Sequence, residues 1–390
     1  MIESKRISQL PPYIFARLNK LKMEARKEGR DIIDLGMGNP DQPPSPQIIE
    51  KLIQTTRSPK VHGYSSSKGI PNLRKAITRR YKEQYNVTLN PETEVVVTIG
   101  VKEGFSHLLL SVLNEGDNII LPTPTYPSHI YHTAIAGGNL ITVPLLNEDS
   151  FIPKLEDAIK NAHPKPKILV ISFPNNPTTM VVSLEFFNDI VKFAKKHGII
   201  VIHDFAYADM GFDDYKAPSF LQAKDAKKVG VEFYSLSKTY NMAGWRVGFL
   251  VGREDIVSAL TKIKSYYDYG LFTPIQVAAI QALDGPQDYV EKTMEEYKRR
   301  RDAFVRGLDS MGWHVETPKA TMYIWAPIPE KFKKEGSLNF SIRLLRDADI
   351  VCSPGIGFGD NGEGFLRFAL VENEHRIKQA VRGIKKAIQK

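Results

Sequence analysis

Cysteine is almost absent: Cys352 is the one thiol in 390 residues, so no disulfide can form within the chain, and a reducing compartment is the expectation. Long apolar runs are missing as well. Stretches such as Ile168 to Ile171 fall far short of the roughly 18 residues a membrane helix needs, and Met1-Ile2-Glu3-Ser4-Lys5 offers no apolar core for a signal peptide. A soluble cytoplasmic protein with no membrane partner is expected. Repeats and low-complexity tracts are lacking too, which leaves an ordinary globular chain.

What is there is 42% hydrophobic and 25% charged, enough for one large domain and a smaller one. The net charge of +9 raises the question of nucleic acid, and the densest basic cluster is Lys298-Arg299-Arg300-Arg301. Val290, Met294, Tyr297, Phe304 and Leu308 recur around it at spacings that add up to helical turns. The basic residues therefore read as the solvated face of an amphipathic helix, with Glu295 and Glu296 nearby. No nucleic-acid partner is expected; small anionic ligands account better for the positive balance.

The chain opens with a proline-bent apolar arm, Leu10-Pro11-Pro12-Tyr13-Ile14-Phe15, of a kind that packs on a partner subunit, followed by Leu18, Leu21 and Ala25 at helical spacing. Asp31 to Leu35 reads as a short strand leading into Gly36-Met37-Gly38-Asn39-Pro40-Asp41, where glycines allow either a close backbone approach to a ligand or a plain turn. From about 95 to 252, apolar strands alternate with helical segments such as Leu184 to Lys196. The strands are Val95–Ile99, Asn118–Leu121, Leu140–Val143, Lys167–Ser172, Ile199–His203, Glu232–Leu236 and Arg246–Val251. That pattern implies a largely parallel sheet covered on both faces, with ligands at the carboxyl ends of the strands. Beyond Pro286, a smaller α+β domain is expected. It would hold a helix over 288–311, strands near Val315 and at Met322–Trp325, a helix over Leu338–Leu345, a strand Phe365–Leu370 and a terminal helix from Asn373. The expected division is 1–45 as N-terminal arm and start of the small domain, 46–285 as large domain and 286–390 as small C-terminal domain. Gly357-Phe358-Gly359-Asp360-Asn361-Gly362 matches the dinucleotide fingerprint literally, but it runs into a strand instead of opening a helix and is excluded as one.

The candidate chemistry falls at the expected strand ends. Ser235-Leu236-Ser237-Lys238, with Arg246 eight positions on, offers a lysine among hydroxyls. A lysine amine adds to an aldehyde only when unprotonated, which burial and nearby cations favour; alone, the same stretch also reads as a solvated turn, the usual place of a lysine. Asp204 follows Ile199–His203, and Tyr207 comes three residues later. A carboxylate facing a pyridine nitrogen keeps that nitrogen protonated, whereas an aspartate there can also be a helix cap. In Phe173-Pro174-Asn175-Asn176-Pro177-Thr178, an asparagine amide could donate to a phenolic oxygen, or the stretch is simply a proline-rich loop. Gly100-Val101-Lys102-Glu103-Gly104 joins strand to helix, so its amides could cup a phosphate, as ordinary turns also look. Pro122 to Pro127 puts Tyr126 on a rigid loop, either to stack on a flat ring or to fill the core. Arg367 sits between apolar neighbours in Phe365-Leu366-Arg367-Phe368-Ala369, costly unless paired with a substrate carboxylate or a structural acid.

Taken together, these residues resemble the class I/II aminotransferases of the fold type I pyridoxal-phosphate enzymes, over nearly the whole chain. The resemblance implies an α/β fold with a mostly parallel seven-stranded sheet in the large domain and a smaller α+β domain. It implies pyridoxal 5'-phosphate as cofactor and no metal. Lys238 would be the Schiff-base lysine and proton shuttle, Asp204 the pyridinium partner, Tyr207 and Asn176 the donors to the phenolic oxygen, and Tyr126 the stacking ring. The phosphate would be held at Gly100 by the amides of Val101 and Lys102 with Ser235, Ser237 and Arg246. Tyr64, from Tyr64-Ser65-Ser66-Ser67-Lys68-Gly69, would reach over from a second subunit, which implies a homodimer with shared active sites. Gly38, Asn176 and Arg367 would hold the substrate α-carboxylate. One departure is visible: the family's Asn-Pro-Thr-Gly is Asn176-Pro177-Thr178-Thr179 here.

Asn241 to Arg246, His203 to Asp209 and Ser353 to Gly359 are similar to bacterial glutamate-pyruvate (alanine) aminotransferases, with LL-diaminopimelate aminotransferases in the same neighbourhood. Amino-acid and 2-oxo-acid substrates and a role in amino-acid biosynthesis follow from that likeness. The alternative within the family is an LL-diaminopimelate or aspartate aminotransferase, and a lyase or synthase could use the same cofactor anchors. A cofactor-binding regulator is disfavoured, since only residues 1 to about 30 precede the family-like core, too few for a winged helix. No residue is assigned to the substrate side chain, although Tyr13, Lys264 and the tyrosines of Ser265-Tyr266-Tyr267-Asp268-Tyr269 stand in plausible places.

Overall fold

Strand residues that alternate between two buried faces build the main sheet. Its strands are β1 (Val95–Thr98), β2 (Asn118–Thr123), β3 (Asn139–Pro144), β4 (Ile168–Ile171), β5 (Ile200–Phe205), β6 (Gly230–Ser235) and β7 (Gly248–Gly252). Val95 and Val97, Leu169 and Ile171, and Phe249 and Val251 face one core. Their neighbours Val96, Ile168, Val170 and Leu250 face the other. The period of two with both faces covered is why each strand reads as a continuous apolar run. The computed structural model describes residues 2–8, 10 and 14–389, so Pro11, Pro12 and Tyr13 of the expected arm lie outside the described residues.

The strand order is β1-β7-β6-β5-β4-β2-β3. All strands run parallel except β7, which is antiparallel to both neighbours. The carboxyl ends of β1, β2, β4, β5 and β6 therefore share one edge of the sheet. Because β7 runs the other way, it brings its amino end, and Arg246 just before it, to that same edge. Helix Leu184–His197, capped by the Ser183 hydroxyl and ended by Gly198 at φ 69°, is one of the covering helices between strands. In the middle of β6 the fully buried carboxylate of Glu232 accepts from Tyr81 and Ser219 hydroxyls (2.7 Å each) and from the Phe220 amide (2.8 Å), and bonds His203 Nδ1 at 2.8 Å.

A second, antiparallel sheet joins Ser353–Pro354, Phe365–Ala369 and Tyr323–Pro327, with Arg367 opposite Ser353 and Trp325. Ile33–Asp34 pairs in parallel with Ile350–Val351, so a segment from the start of the chain joins this part. Its core holds Ile33, Leu35, Phe304, Trp313, Phe340 and Phe368.

The structure departs from sequence expectation in three places. No strand forms near Val315; Ala320 makes only an isolated bridge to Gly211. Asp204 lies inside β5, within its last two residues. The basic cluster is only half solvated: on helix Asp288–Asp309, Arg300 and Arg301 are buried. Arg300 bonds Asp41 through two 2.8 Å contacts and Glu296 at 2.6 Å, and Arg301 bonds Asp213 at 2.6 Å. Glu296 is on the same helix, but Asp41 and Asp213 arrive from distant loops, which a helical-period argument cannot see. Among the described residues no helix is long and apolar enough to cross a membrane.

Candidate active site

A cavity of about 940 Å³ opens where the strand ends of the main sheet face the smaller one. Every site residue expected from sequence lines it except Gly100 and Tyr64.

Lys238 stands on a single-turn helix, Leu236–Thr239, capped by Ser235, whose hydroxyl accepts from the Ser237 amide at 3.2 Å. Its flanks are pinned: Tyr234 OH and Thr239 Oγ1 (3.1 Å) both donate to Asp209, which is paired with the buried Arg80 at 2.6 Å. The lysine turns inward, and Nζ donates to Gly38 O at 2.5 Å. Burial first, then the positive charges of Arg367 and Arg246, hold the amine down to about 8, from an ordinary lysine value of 10.5.

Asp204 Oδ2 bonds His129 Nε2 at 3.0 Å, and His129 Nδ1 bonds Thr125 Oγ1 at 3.0 Å. Asp204 Oδ1 is buried and has no hydrogen-bond partner among the described residues. A buried carboxylate oxygen left without a donor is costly, and it is an arrangement a pyridinium N–H would complete. The N-cap alternative for Asp204 does not apply, since no helix starts there. His129 was not singled out from sequence. The available signal was a histidine one turn beyond the Tyr126 loop, at another strand end. Tyr126 meets the His129 ring edge-on, with centroids 5.8 Å apart.

Tyr207 OH bonds Tyr323 OH at 2.8 Å and accepts from Asn176 Nδ2 at 3.5 Å. Burial, and next the neighbouring Tyr323, push the Tyr207 hydroxyl well above the ordinary tyrosine range, so it stays a donor. Asn176 Oδ1 accepts from Arg367 Nη1 at 2.7 Å; Arg367 Nη2 donates to Gly36 O (2.7 Å) and Ser353 Oγ (3.2 Å). The guanidinium lies over the Tyr323 and Phe358 rings, 4.2 and 4.7 Å from their centroids. All of its described partners are neutral, and Nε is buried without one. The structural ion pair weighed for Arg367 is therefore not what satisfies it among the described residues.

Gly100, at φ 75°, caps helix Val101–Val112, and a side chain there would collide with the Arg246 guanidinium. Arg246 is itself in the left-handed region at φ 57° and donates to Ala243 O at 2.9 Å, which fixes it beside that helix start. Gly38 admits no side chain, because a Cβ would lie 2.6 Å from two Tyr323 ring carbons. Thr179, where the family has glycine, takes φ 62°, so the loop keeps a glycine-like conformation at some strain.

Tyr64 lies outside the cavity of its own chain, 87% exposed, and stacks on Tyr269 with centroids 4.3 Å apart. Lys264 is not available to a substrate: it is buried and bonds Glu103 at 2.8 Å and Asp268 at 3.0 Å. Tyr266, Tyr267 and Tyr269 are exposed, and Tyr13 lies outside the described residues.

Residues 30–384 match the family model for aminotransferase class I and II. The chain is 54% identical over 380 residues to the glutamate-pyruvate aminotransferase AlaC of Escherichia coli K12, covering 97% of this chain and 92% of that protein. It is 44% identical over 385 residues to the LL-diaminopimelate aminotransferase of Halothermothrix orenii, covering 99% and 98%. Among solved structures, substrate-bound BacF from Bacillus subtilis superposes with a TM-score of 0.93 at 39% identity, covering 99% of this chain and 98% of that one.

Proposed function

The chain belongs to the class I and II aminotransferases and is a pyridoxal-phosphate-dependent transaminase; from that premise we propose that it exchanges the amino group between glutamate and pyruvate, giving alanine and 2-oxoglutarate. The observation that carries the substrate choice is the similarity to AlaC along almost the entire chain.

Bound pyridoxal phosphate supplies an electron sink conjugated to the substrate Cα. In our reading, Asp204 Oδ1 accepts the ring N–H while His129 and Thr125 keep the carboxylate oriented. Tyr207 and Asn176 would donate to the phenolic oxygen, and Tyr126 would stack on the ring. The amides of Val101 and Lys102, freed by the turn at Gly100, would hold the phosphate with Ser235, Ser237 and Arg246. Arg367, Asn176 and Gly38 hold the substrate α-carboxylate, which sets Cα within reach of Lys238. With its amine near 8, Lys238 is partly neutral at physiological pH and takes the Cα proton. One amino acid leaves as its 2-oxo acid before a second 2-oxo acid is aminated, so the kinetics are ping-pong.

The same reading has two copies share their sites. Tyr64 is bound into a strap by the Ser65–Gly270 bridge and by Ser67 donating to Asp268 O at 3.4 Å, and it presents an exposed aromatic surface with Tyr266, Tyr267 and Tyr269 for a partner to cover. We infer a cytoplasmic location and a role in amino-acid biosynthesis from the likeness to AlaC. A panel of amino donors assayed with pyruvate and with 2-oxoglutarate tests the assignment. The expected result is fastest turnover for glutamate with pyruvate and for alanine with 2-oxoglutarate. A clear preference for LL-diaminopimelate with 2-oxoglutarate would replace it.

A further inference from the structure

A site that serves both glutamate and alanine faces an electrostatic conflict. The five-carbon substrate carries a second carboxylate, whereas the three-carbon one offers only a methyl group. A bare cation fixed in the pocket helps the first and leaves an unpaired buried charge beside the second. The conflict disappears if the cation carries its own counter-ion and keeps spare donors, as an ammonium with three N–H groups can.

Among the described residues, five cationic side chains line the cavity: Lys22, Lys102, Lys238, Arg246 and Arg367. Lys102 and Arg246 sit at the start of helix Val101–Val112, where the cofactor phosphate is placed, while Lys238 and Arg367 are committed to the amine and the α-carboxylate. His132 also lines the cavity, but burial, then the charge of Lys102, push its ring down to about 4, so it is neutral at physiological pH. Lys22 is the one left without a role.

Its placement is specific. Helix Ile14–Lys27 turns Phe15, Leu18, Asn19 and Lys22 to the cavity, a single face at helical spacing that is apolar at one end and polar at the other. Phe15 packs edge-on against Phe358, which lies under Arg367, so the apolar end of this face stands beside the Arg367 rings. The Lys22 side chain is only 12% exposed and donates to Asp34 Oδ2 at 2.8 Å. Asp34 Oδ1 accepts from the Gly36 amide at 3.0 Å, and Gly36 O is the acceptor of Arg367. A short chain of contacts thus joins Lys22 to the α-carboxylate grip.

Resting on the glutamate–pyruvate reading, we propose that Lys22 recognises the distal carboxylate of glutamate and 2-oxoglutarate with the N–H groups that Asp34 leaves free. Asp34 keeps it neutralised when alanine or pyruvate occupies the site. Lys22 is a specificity residue and takes no part in proton transfer.

The test is Lys22→Met in the holoenzyme, which preserves the apolar stem and removes the ammonium. KM for glutamate and 2-oxoglutarate should rise about tenfold or more while KM for alanine and pyruvate moves less than about twofold, the loss expected for one charged hydrogen bond. Calorimetric titration with glutarate, an unreactive five-carbon dicarboxylate, should show the same weakening, titration with propionate none, and Lys22→Arg should recover most of the loss. An equal rise for all four substrates would reduce Lys22 to a prop for the helix and overturn the proposal, as would unchanged constants throughout. A parent enzyme that uses neither glutamate nor 2-oxoglutarate overturns the glutamate–pyruvate reading itself. A parent that uses both, with an unmoved Lys22→Met ratio, removes only Lys22.

Discussion

Replacing Arg367 by lysine keeps the positive charge and removes the fork. In the parent, the guanidinium spends Nη1 on Asn176 Oδ1 and Nη2 on Gly36 O and Ser353 Oγ, and lies between two aromatic rings. A lysine ammonium is a point donor that cannot hold those acceptors and a planar carboxylate at once. Losing one charged hydrogen bond to the α-carboxylate costs about 1.5–3 kcal/mol, so KM should rise about 10- to 150-fold. Because every amino acid carries that carboxylate, the rise should be the same for glutamate and alanine, and cofactor retention should stay at the parent level. Stability falls too, since Asn176 Oδ1 and Gly36 O lose their donor; thermal melting is therefore recorded beside the kinetics, and constants are referred to folded enzyme. Unchanged KM for both donors with a lowered melting point would take Arg367 out of the substrate site and make it structural.

The Lys238 amine, held near 8, should react with added pyridoxal phosphate in stripped protein with a pH midpoint near that value. The sign is set by charge: removing a neighbouring cation with Arg246→Gln should move the midpoint up, and a parent midpoint near 10.5 would refute the burial argument. The purified protein should be yellow, and borohydride should bleach it while fixing the label on Lys238; a peptide map placing the label elsewhere would sink the assignment. Asp204→Ala should retain some cofactor through the phosphate site but lose turnover about a hundredfold or more, the scale of one lost electrostatic partner; near-parent turnover would contradict its role. Glu232→Gln turns one acceptor oxygen into a donor facing two other donors, which should cost about 1–3 kcal/mol per unsatisfied group in urea unfolding with turnover per folded molecule unchanged. An unmoved denaturation midpoint would show that the network relaxes.

The sheet was legible because β1, β4 and β7 are buried on both faces and so read as unbroken apolar runs, and because the polar residues that interrupt the pattern fall at one edge. Lys238, Asp204 and Asn176 could be singled out for that reason. What was hidden depends on contacts between distant segments. His129 matters only once β4 has brought the ends of β2 and β5 to one edge, and Tyr323 only once the small sheet faces the large one. Lys264 looked available beside exposed tyrosines, yet Glu103 and Asp268 consume it. Arg300 and Arg301 looked solvated because the acids that take them under, Asp41 and Asp213, are more than 80 residues away along the chain.

The turn from Gly36 to Gly38 touches the two ends of the chemistry at once. Gly36 O receives Arg367, from the small sheet, and Gly38 O receives Lys238, from the helical turn that follows β6 of the main sheet. Two peptide units span at most about 7.6 Å, so covalent geometry puts a ceiling on how far the two acceptors can part, however the sheets are packed. The turn is a tether: a rotation of one part of the molecule against the other cannot stretch the spacing past that ceiling. Inserting a single residue between Gly36 and Gly38 would recalibrate the distance between amine and carboxylate grip without touching either side chain.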